Sequence, residues 1–492
     1  MESTFSTMLT RRRDLLLAAA ASPLIALENQ RPGTVEWQLT RIWPNAPKGF
    51  RTRLIEGYAQ RQSVKAGDKL GICVSTNPAR RFTLDVYRMG YYGGAGARLM
   101  TRLGPFSGKV QPDPPVGEKR LRECQWEPSL ELPIPADWPS GVYLGQLNAI
   151  PESRSEHAWQ SYVVFVVKDQ RKAGILFQVS DNTWQAYNRW PDNYSLYTDP
   201  RHSWAPAVAA SFDRPYAKYS QILDYPHAVG SGEFLLWEFP LCYWLEQHGY
   251  DVSYVSNSDM VNPAEWRRGK VFLSVGHDEY WDPRQYDAAL ASVKEGMTHL
   301  YLSGNSVMGV TPFQPSADGR PNRWLSREGV YGGIYGNFPE FFQSATDFQQ
   351  HGPSARTLMG AHSIYPVNGG DDWVCAKPEH WMFEGTGMKR GDRIPGLVGW
   401  EFHGDPAPIP GLEIVAEGDA LQSGVRPSHW CATIYPGPKK NFVFQASTIW
   451  WPQGLSSPPG HVLPWSHWVR PHGPDARVQR MTQNLLARGL KG

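Results

Sequence analysis

The pattern of apolar residues changes near residue 170, and this change constrains the fold more than any other feature of the chain. Between residues 36 and 168 the sequence contains short stretches in which apolar and polar residues alternate, separated by Gly, Pro and Asp. Alternation with a period of two is typical of antiparallel strands that bury one face. We therefore predict an immunoglobulin-like β-sandwich over residues 36–168.

After a charged linker, residues 169–172, the apolar stretches become nearly continuous and helical segments separate them. The predicted strands are Ala173–Val179, Val252–Val255, Val271–Val275 and His299–Leu302. Buried strands that alternate with helices are typical of a mostly parallel sheet covered on both faces. We predict that residues 172–492 form an α/β domain with long loops.

The helices of this domain have recognisable ends. Asp282 and Pro283 supply the capping residue and the first-turn proline of a helix that Gly296 ends. Further helices and a strand of this domain are predicted before and after this helix. They are predicted at Phe234–His248, Asn441–Ala446 and Ala476–Arg488.

The first 26 residues are predicted to be an export signal. Arg11–Arg13 precede a short apolar run, and small residues follow it as far as Ala26. A twin arginine followed by leucines is typical of the bacterial twin-arginine export signal. The signal predicts a periplasmic or secreted protein, and the alternative is a basic amphipathic helix on the mature chain.

Charge and cysteine content exclude several classes of function. The chain has 49 Lys and Arg against 47 Asp and Glu, so it lacks the basic excess that nucleic-acid binding requires. Beyond the N-terminus no apolar stretch is long enough to span a membrane. The five cysteines include no C-x-x-C pair, which argues against a structural zinc site and leaves any disulfide pairing open.

Polar residues follow the third predicted strand of the α/β domain, in the segment Gly276–Trp281. Ligands of open parallel sheets bind beyond the carboxyl ends of the strands. Residues two apart in extended chain share a side, so His277 and Glu279 point together while Asp278 points away. Imidazole and carboxylate on one side can ligate a metal ion. By itself, H-x-E is a weak motif.

Three motifs together give the chain a family resemblance. They are Arg88–Gly94 (RMGYYGG), Trp184–Asn188 (WQAYN) and Gly276–Trp281 (GHDEYW). In these motifs the chain resembles the large subunit of N,N-dimethylformamidase and its relatives. The resemblance extends from the sandwich to the C-terminal helix, and it implies a glutamine-amidotransferase-like sheet in the α/β domain.

The resemblance also implies a mononuclear iron site, most readily Fe³⁺, with zinc as the less favoured metal. Carried over residue by residue, it makes Tyr187, His277 and Glu279 the metal ligands. It makes Glu401 the general base and Asn305 a hydrogen-bond donor to the developing oxyanion. The donor set agrees with the chemistry, because phenolate, carboxylate and imidazole suit trivalent iron better than a soft metal.

The expected activity is metal-dependent hydrolysis of the C–N bond in a small neutral amide. We expect Trp184, Trp281 and Trp400 to keep such a site dry. Two alternatives remain open from the sequence: an exported glycan-binding protein that uses its 21 Trp for stacking, and a zinc-dependent hydrolase on the same scaffold. The substrate, and the need for a small subunit or a homo-oligomer, stay undetermined.

Overall fold

The structure is a computed structural model. It describes residues 23–42, 50–203, 209–218, 229–332, 335–336, 352–365, 369–399, 401–421, 427–463 and 473–492. The predicted export signal lies outside these ranges up to residue 22, and so does Trp400. Within the described ranges no helix is both long and apolar enough to cross a membrane.

Strands greatly outnumber helices. The strands of the three main sheets are β1 Glu56–Ala59, β2 Ser63–Lys65, β3 Lys69–Ser75, β4 Arg81–Met89, β5 Ala97–Ser107, β6 Leu130–Pro133, β7 Gly141–Ala149, β8 Gln160–Lys168, β9 Ala173–Gln178, β10 Val252–Val255, β11 Gly269–His277, β12 Thr298–Gly304, β13 Glu413–Ala420, β14 Ser428–Pro436 and β15 Phe442–Gln445. The helices are α1 Pro23–Glu28, α2 Asp181–Tyr187, α3 Phe234–Trp237, α4 Phe239–Gln247, α5 Pro263–Trp266, α6 Pro283–Glu295, α7 Ala355–Met359 and α8 Ala476–Gly489.

Shorter strands lie in the loops around the α/β domain. They are Thr198–Asp199, His202–Ser203, Ala209–Ser211, Tyr280–Trp281, Gly309–Val310, Phe313–Gln314, Trp324–Ser326, Gly329–Val330, Tyr335–Gly336, His362–Tyr365, Gly370–Val374, Arg393–Gly399 and Phe402–Gly404. In the described ranges, the loops of this domain therefore contain many small antiparallel and parallel pairs.

The N-terminal part consists of two sheets that share one hydrophobic core. One sheet has the order β1-β3-β6 and the other the order β2-β8-β7-β4-β5, with every pairing antiparallel except β2 with β8. Side chains from both sheets meet in the same core, among them Ile72 of β3 and Leu84 of β4. The predicted layering of strands is present, while the immunoglobulin-like assignment remains a prediction.

A seven-stranded sheet forms the centre of the second part, in the order β10-β9-β11-β12-β15-β14-β13. The first five strands run parallel. The last two pairings, of β14 with β15 and of β13 with β14, are antiparallel, so that β14 alone runs opposite to the other strands of this sheet. Successive residues of β11 enter different cores, with Leu273 on one face and Phe272 on the other. The mostly parallel, doubly covered sheet is thereby confirmed, and its glutamine-amidotransferase-like character remains a prediction.

Capping residues and prolines in the sequence predicted the ends of several helices to within one or two residues. Helix α6 begins after Asp282, whose side chain accepts a hydrogen bond from the backbone of Arg284, and it ends at Gly296 with φ 109°. The predicted helix Phe234–His248 is two helices, α3 and α4, with Pro240 in the first turn of the second. Proline has no amide hydrogen, so an uninterrupted helical ladder is impossible at that point.

A buried ion pair joins the two parts of the protein. Arg88 of β4 donates to both carboxylate oxygens of Glu246 in α4, at 2.7 and 2.9 Å, and neither side chain is exposed. Two nitrogens of the same guanidinium donate to the backbone carbonyl of Ser140. Gly90 lies against this pair, because a Cβ there would be 2.2 Å from the Glu246 carboxylate. The RMGYYGG motif thus forms part of the contact between the two parts of the chain.

Aromatic and cysteine side chains lie mainly in the interior. Most of the tryptophans in the described ranges are buried, and Trp159, Trp324 and Trp381 are half-buried. All five cysteines are free and buried, which answers the pairing question that the sequence left open.

Candidate metal centre

Three neighbouring strand ends build the site. Strand β11 pairs in parallel with β9 on one side and with β12 on the other, so their carboxyl ends meet at one edge of the sheet. Helix α2 follows β9, the H-D-E segment follows β11, and Asn305 follows β12. His277 is paired with Gly304 in the sheet register. The sequence predicted the candidate metal ligands at this edge of the sheet.

Three buried side chains converge there. The Nε2 atom of His277 lies 3.2 Å from Glu279 Oε2 and in direct contact with Glu401 Oε2. The potential ligand atoms of the three residues all lie within 4.8 Å of one another. Among the described residues, this is the cluster of His, Cys, Asp or Glu groups that could hold a metal ion.

Two tyrosine hydroxyl groups complete the cluster through Glu279. Tyr187, the last residue of α2, donates to Glu279 Oε2 at 2.6 Å, and Tyr197 donates to Oε1 at 3.1 Å. The two hydroxyl oxygens are 3.2 Å apart. Because Oε2 is also the oxygen that faces His277, the hydroxyl of Tyr187 lies on the imidazole side of the carboxylate. The hydroxyl of Tyr197 lies on the other side.

Asp278 points away from the cluster, as the alternation in extended chain predicted. It accepts hydrogen bonds at 2.8 Å from Gln178 and from Ser274, and one at 3.3 Å from Asn257. Burial raises the pKa of Asp278 to about 6. These three contacts fix the backbone between the two candidate ligands, so Asp278 orients His277 and Glu279 without touching the cluster.

Glu401 reaches the cluster from a distant loop through a close backbone approach. A Cβ on Gly304 would lie 2.1 Å from the carbonyl oxygen of Glu401, so only glycine allows this loop to sit on the end of β12. Glu401 and Asn305 both have positive φ angles, 69° and 48°. Such strain in residues other than glycine is typical of functional sites. Asn305 also hydrogen-bonds Glu401.

The electrostatics favour a cation in the cluster. Burial raises the pKa of Tyr187 well above its usual value, and the charge of Glu279 raises it further. Burial alone would lower the pKa of His277, but the carboxylates of Glu401 and Glu279 raise it well above its ordinary value. Burial also raises the pKa of Glu401. The cluster therefore retains protons that a bound metal cation would displace.

The donor atoms fit a hard to borderline metal ion. They are one imidazole nitrogen, carboxylate oxygens and phenol oxygens, with no thiolate among them. Asn305 Oδ1 is buried and lacks a hydrogen-bond partner among the described residues, so a polar atom next to Glu401 is left for a ligand to satisfy. Trivalent iron suits this set, and zinc is compatible with its nitrogen and carboxylate members.

The structure brings all five sequence-predicted residues to one place, and it adds two that the sequence reasoning missed. Tyr197 belongs to a loop with no periodic pattern. Arg327 lies with its guanidinium 4.4 Å from the centre of the Tyr197 ring and is also buried. Neither lies in one of the three motifs, and only the density of tyrosines between residues 187 and 197 gave a signal.

The tryptophans predicted to line the site pack elsewhere. Trp184 donates to Glu238 and contacts Phe234. Trp281 packs on Trp266 in the core beneath the sheet. The rings close to the imidazole are tyrosines, with Tyr187 centred 5.5 Å from His277. Strict alternation from His277 and Glu279 would place Trp281 on the side of the cluster. The strand is interrupted at residues 278–279, however, and Tyr280 is the ring that lies beside Tyr187.

Comparison with known proteins gives one family. The sequence model of a family described as "N,N-dimethylformamidase beta subunit-like, C-terminal" matches residues 83–463, which is well over half of the chain. The match begins within β4 of the N-terminal part and includes all five predicted site residues. No curated protein matches the sequence.

Proposed function

Because the chain belongs to the N,N-dimethylformamidase beta subunit-like family, we propose that it is a metal-dependent amidohydrolase acting on small neutral amides. The family suggests a hydrolase of this type. The observation that supports metal dependence is the buried convergence of His277, Glu279 and Glu401 on one another, with two phenol hydroxyls on Glu279. The near-neutral charge of the chain agrees with an uncharged substrate, which needs no steering field.

We assign Tyr187, His277 and Glu279 as ligands of a mononuclear iron ion. We choose Tyr187 over Tyr197 because the hydroxyl of Tyr187 donates to Glu279 Oε2, the oxygen that faces His277. When bound, iron would polarise the amide carbonyl and make a water molecule more acidic. Asp278 and its three hydrogen bonds hold His277 and Glu279, the residues on either side of it, in place for this purpose.

Glu401 is the proposed general base. Its carboxylate contacts His277 Nε2, is buried, and has a pKa raised by that burial, which brings it closer to the range in which a carboxylate can both accept and return a proton near neutral pH. Glu401 takes a proton from the attacking water and delivers it to the leaving nitrogen. The C–N bond breaks, a C–O bond forms, and the products are a carboxylic acid and an amine.

Asn305 is proposed to orient both the base and the substrate. Its Nδ2 group donates to the Glu401 carboxylate, and an amide nitrogen of this kind carries a second hydrogen. Placed at the end of β12, the amide can donate to the oxygen that gains negative charge as water adds to the carbonyl. The half-buried ring of Tyr187 lies beside His277 and packs on the buried ring of Tyr280, and together they limit the access of further water to the reacting atoms.

The proposal is tested by metal analysis and activity on one preparation. Protein purified without chelator is expected to contain close to one iron per chain and to hydrolyse at least one member of a panel of formamides and acetamides. A colourless active protein that contains zinc would contradict the choice of iron. A metal-free preparation that neither binds added iron nor hydrolyses any amide would overturn the proposed activity.

Replacing Tyr187 with Phe is expected to abolish the visible phenolate-to-iron absorption band. The matched variant Tyr197→Phe should keep the band, because its hydroxyl lies on the far oxygen of Glu279. Absorption spectra of iron-loaded variants, normalised to iron content, measure this directly. Loss of the band in Tyr197→Phe with retention in Tyr187→Phe would assign the phenolate ligand to Tyr197 instead.

Replacing Glu401 with Gln is expected to lower kcat by about 10²–10⁴, the usual contribution of a general base. The iron content should stay near that of the unmodified protein, because Glu401 is assigned to proton transfer and not to ligation. Steady-state kinetics and metal analysis on the same sample separate the two roles. Loss of iron in this variant would show that Glu401 is a ligand.

We further propose that the protein acts in the periplasm or is secreted, since residues 1–26 have the features of a twin-arginine export signal. Because the family is described as beta subunit-like, we also propose that the chain works with a partner chain or with copies of itself. Fractionation of expressing cells and the mass of the purified assembly test these two points.

A further inference from the structure

Helix α1, residues Pro23–Glu28, is built into the fold although the sequence places it at the end of the export signal. Ile25 is 1% exposed, whereas Leu24 and Leu27 are 44% and 61% exposed. The helix therefore presents one side chain to the protein interior and its neighbours to solvent. A segment that is removed during export would have no reason to bury an apolar side chain in the mature protein.

Polar contacts tie the end of this helix to the contact between the two parts of the protein. Glu28 accepts hydrogen bonds from Arg98 at 2.7 Å and from the hydroxyl of Tyr92 at 2.8 Å. Asn29 accepts one from the backbone of Tyr92 and donates to Glu246. Glu246 is the partner of the buried Arg88, so α1 extends the same network.

Cleavage near Ala26 conflicts with this packing and with the chemistry of the processing enzyme. Such a cut would remove Ile25 and leave Glu28 next to a new charged terminus. Signal peptidases require small residues at the first and third positions before the cleaved bond. A cut after Ala26 would place Leu24 at the third position, which is too large.

We propose that the export signal is cleaved upstream of Pro23, best at the bond between Ala21 and Ser22, and that α1 is part of the mature protein. Ala21 and Ala19 then occupy the first and third positions before the bond. The bond between Ala20 and Ala21 is the neighbouring one that meets the same requirement, whereas a cut after Ser22 would place proline directly behind it. In the reaction a signal peptidase adds water across the peptide bond, leaving a carboxylate on Ala21 and an amine on Ser22.

The test is the intact mass and N-terminal sequence of the full chain after expression and export in a bacterium with a twin-arginine pathway. A mature protein that starts at Ser22 or Ala21 supports the proposal. A start at Leu27 or later, or a chain that keeps its first residues after export, overturns it.

Two sets of variants sharpen the result. The double change Ala20→Leu with Ala21→Leu leaves no bond in this run that has small residues at both the first and the third position before it, and the uncleaved precursor should accumulate. The matched change Ala26→Leu should be processed normally, and a block there would contradict the proposal. In exported protein, Ile25→Ala should lower the unfolding temperature by a few degrees and Leu24→Ala should not. Equal unfolding temperatures would show that α1 is not part of the mature fold.

Discussion

Replacing Glu279 with Gln is expected to release the metal ion and to abolish amide hydrolysis. Glu279 is the residue on which the cluster converges, since its two oxygens accept from Tyr187 and Tyr197 and one of them faces His277. The amide has nearly the same shape but carries no charge, and its nitrogen would point a donor at one of the phenols. Changes to residues that merely support ligands lower metal affinity about 10- to 100-fold. Removal of a ligand itself should lower metal affinity by more than this factor.

The measurement is iron content and initial rate for the variant beside a matched control. Glu417→Gln makes the same chemical change at an exposed carboxylate on strand β13, where Glu417 pairs with His429 at the surface. The control should keep both iron and rate. A Glu279→Gln protein that retains full iron and full rate would show that the ligand assignment is wrong. A circular dichroism spectrum equal to that of the unmodified protein separates loss of the site from loss of the fold.

The part of the site that could be predicted follows from regular geometry. His277 and Glu279 lie two apart at the end of a buried strand, and the parallel pairing of β11 with β12 brings Asn305 to the same edge. These relations depend only on the period of a strand and on the direction of a parallel sheet. Asp278 was correctly expected on the opposite side for the same reason.

The remaining site residues depend on loops whose paths are set by tertiary contacts. The loop that contains Tyr197 is held by Arg214, whose buried guanidinium donates to the carbonyls of Trp190 and Tyr194. No pattern in the neighbouring sequence indicates such a contact, and Tyr197 could therefore not be predicted as a site residue. Glu401 was placed only through the family resemblance, because its position depends on the absence of a side chain at Gly304, almost a hundred residues earlier.

The same distinction between local and long-range determinants applies to the fold. Caps and apolar strands predicted α6, β10 and β11, since these signals act within a few residues. The contact between the two parts of the chain could not be predicted from patterning. Alternation places Arg88 on the same side of β4 as the core residues Phe82 and Leu84, where a charge is not expected, and its bond to Glu246, 158 residues away in sequence, explains how the charge is buried. A charge can be buried when it meets an opposite charge and further hydrogen bonds.

Replacing Arg88 with Met is expected to destabilise the protein by about 3–5 kcal/mol, the usual cost of leaving one member of a buried ion pair without its partner. Glu246 would keep only the hydroxyl of Tyr254 and the distant amide of Asn29 as donors. Chemical denaturation followed by fluorescence measures the loss, with Arg102→Met as the control. Arg102 lies on the edge strand β5 with an exposed side chain, so the control should change stability by less than about 1 kcal/mol.

The double variant Arg88→Met with Glu246→Leu separates the ion pair from the packing around it. Two apolar side chains of similar volume remove both charges, and such replacements are often neutral or stabilising. We therefore expect the double variant to recover most of the stability that the single variant loses. If it is as unstable as Arg88→Met alone, the loss comes from the hydrogen bonds to Ser140 and not from the unpaired carboxylate. Helix α4 follows α3, and Trp237 of α3 lies against Gly276 directly before the H-D-E segment, so recovery of stability should be accompanied by recovery of iron binding.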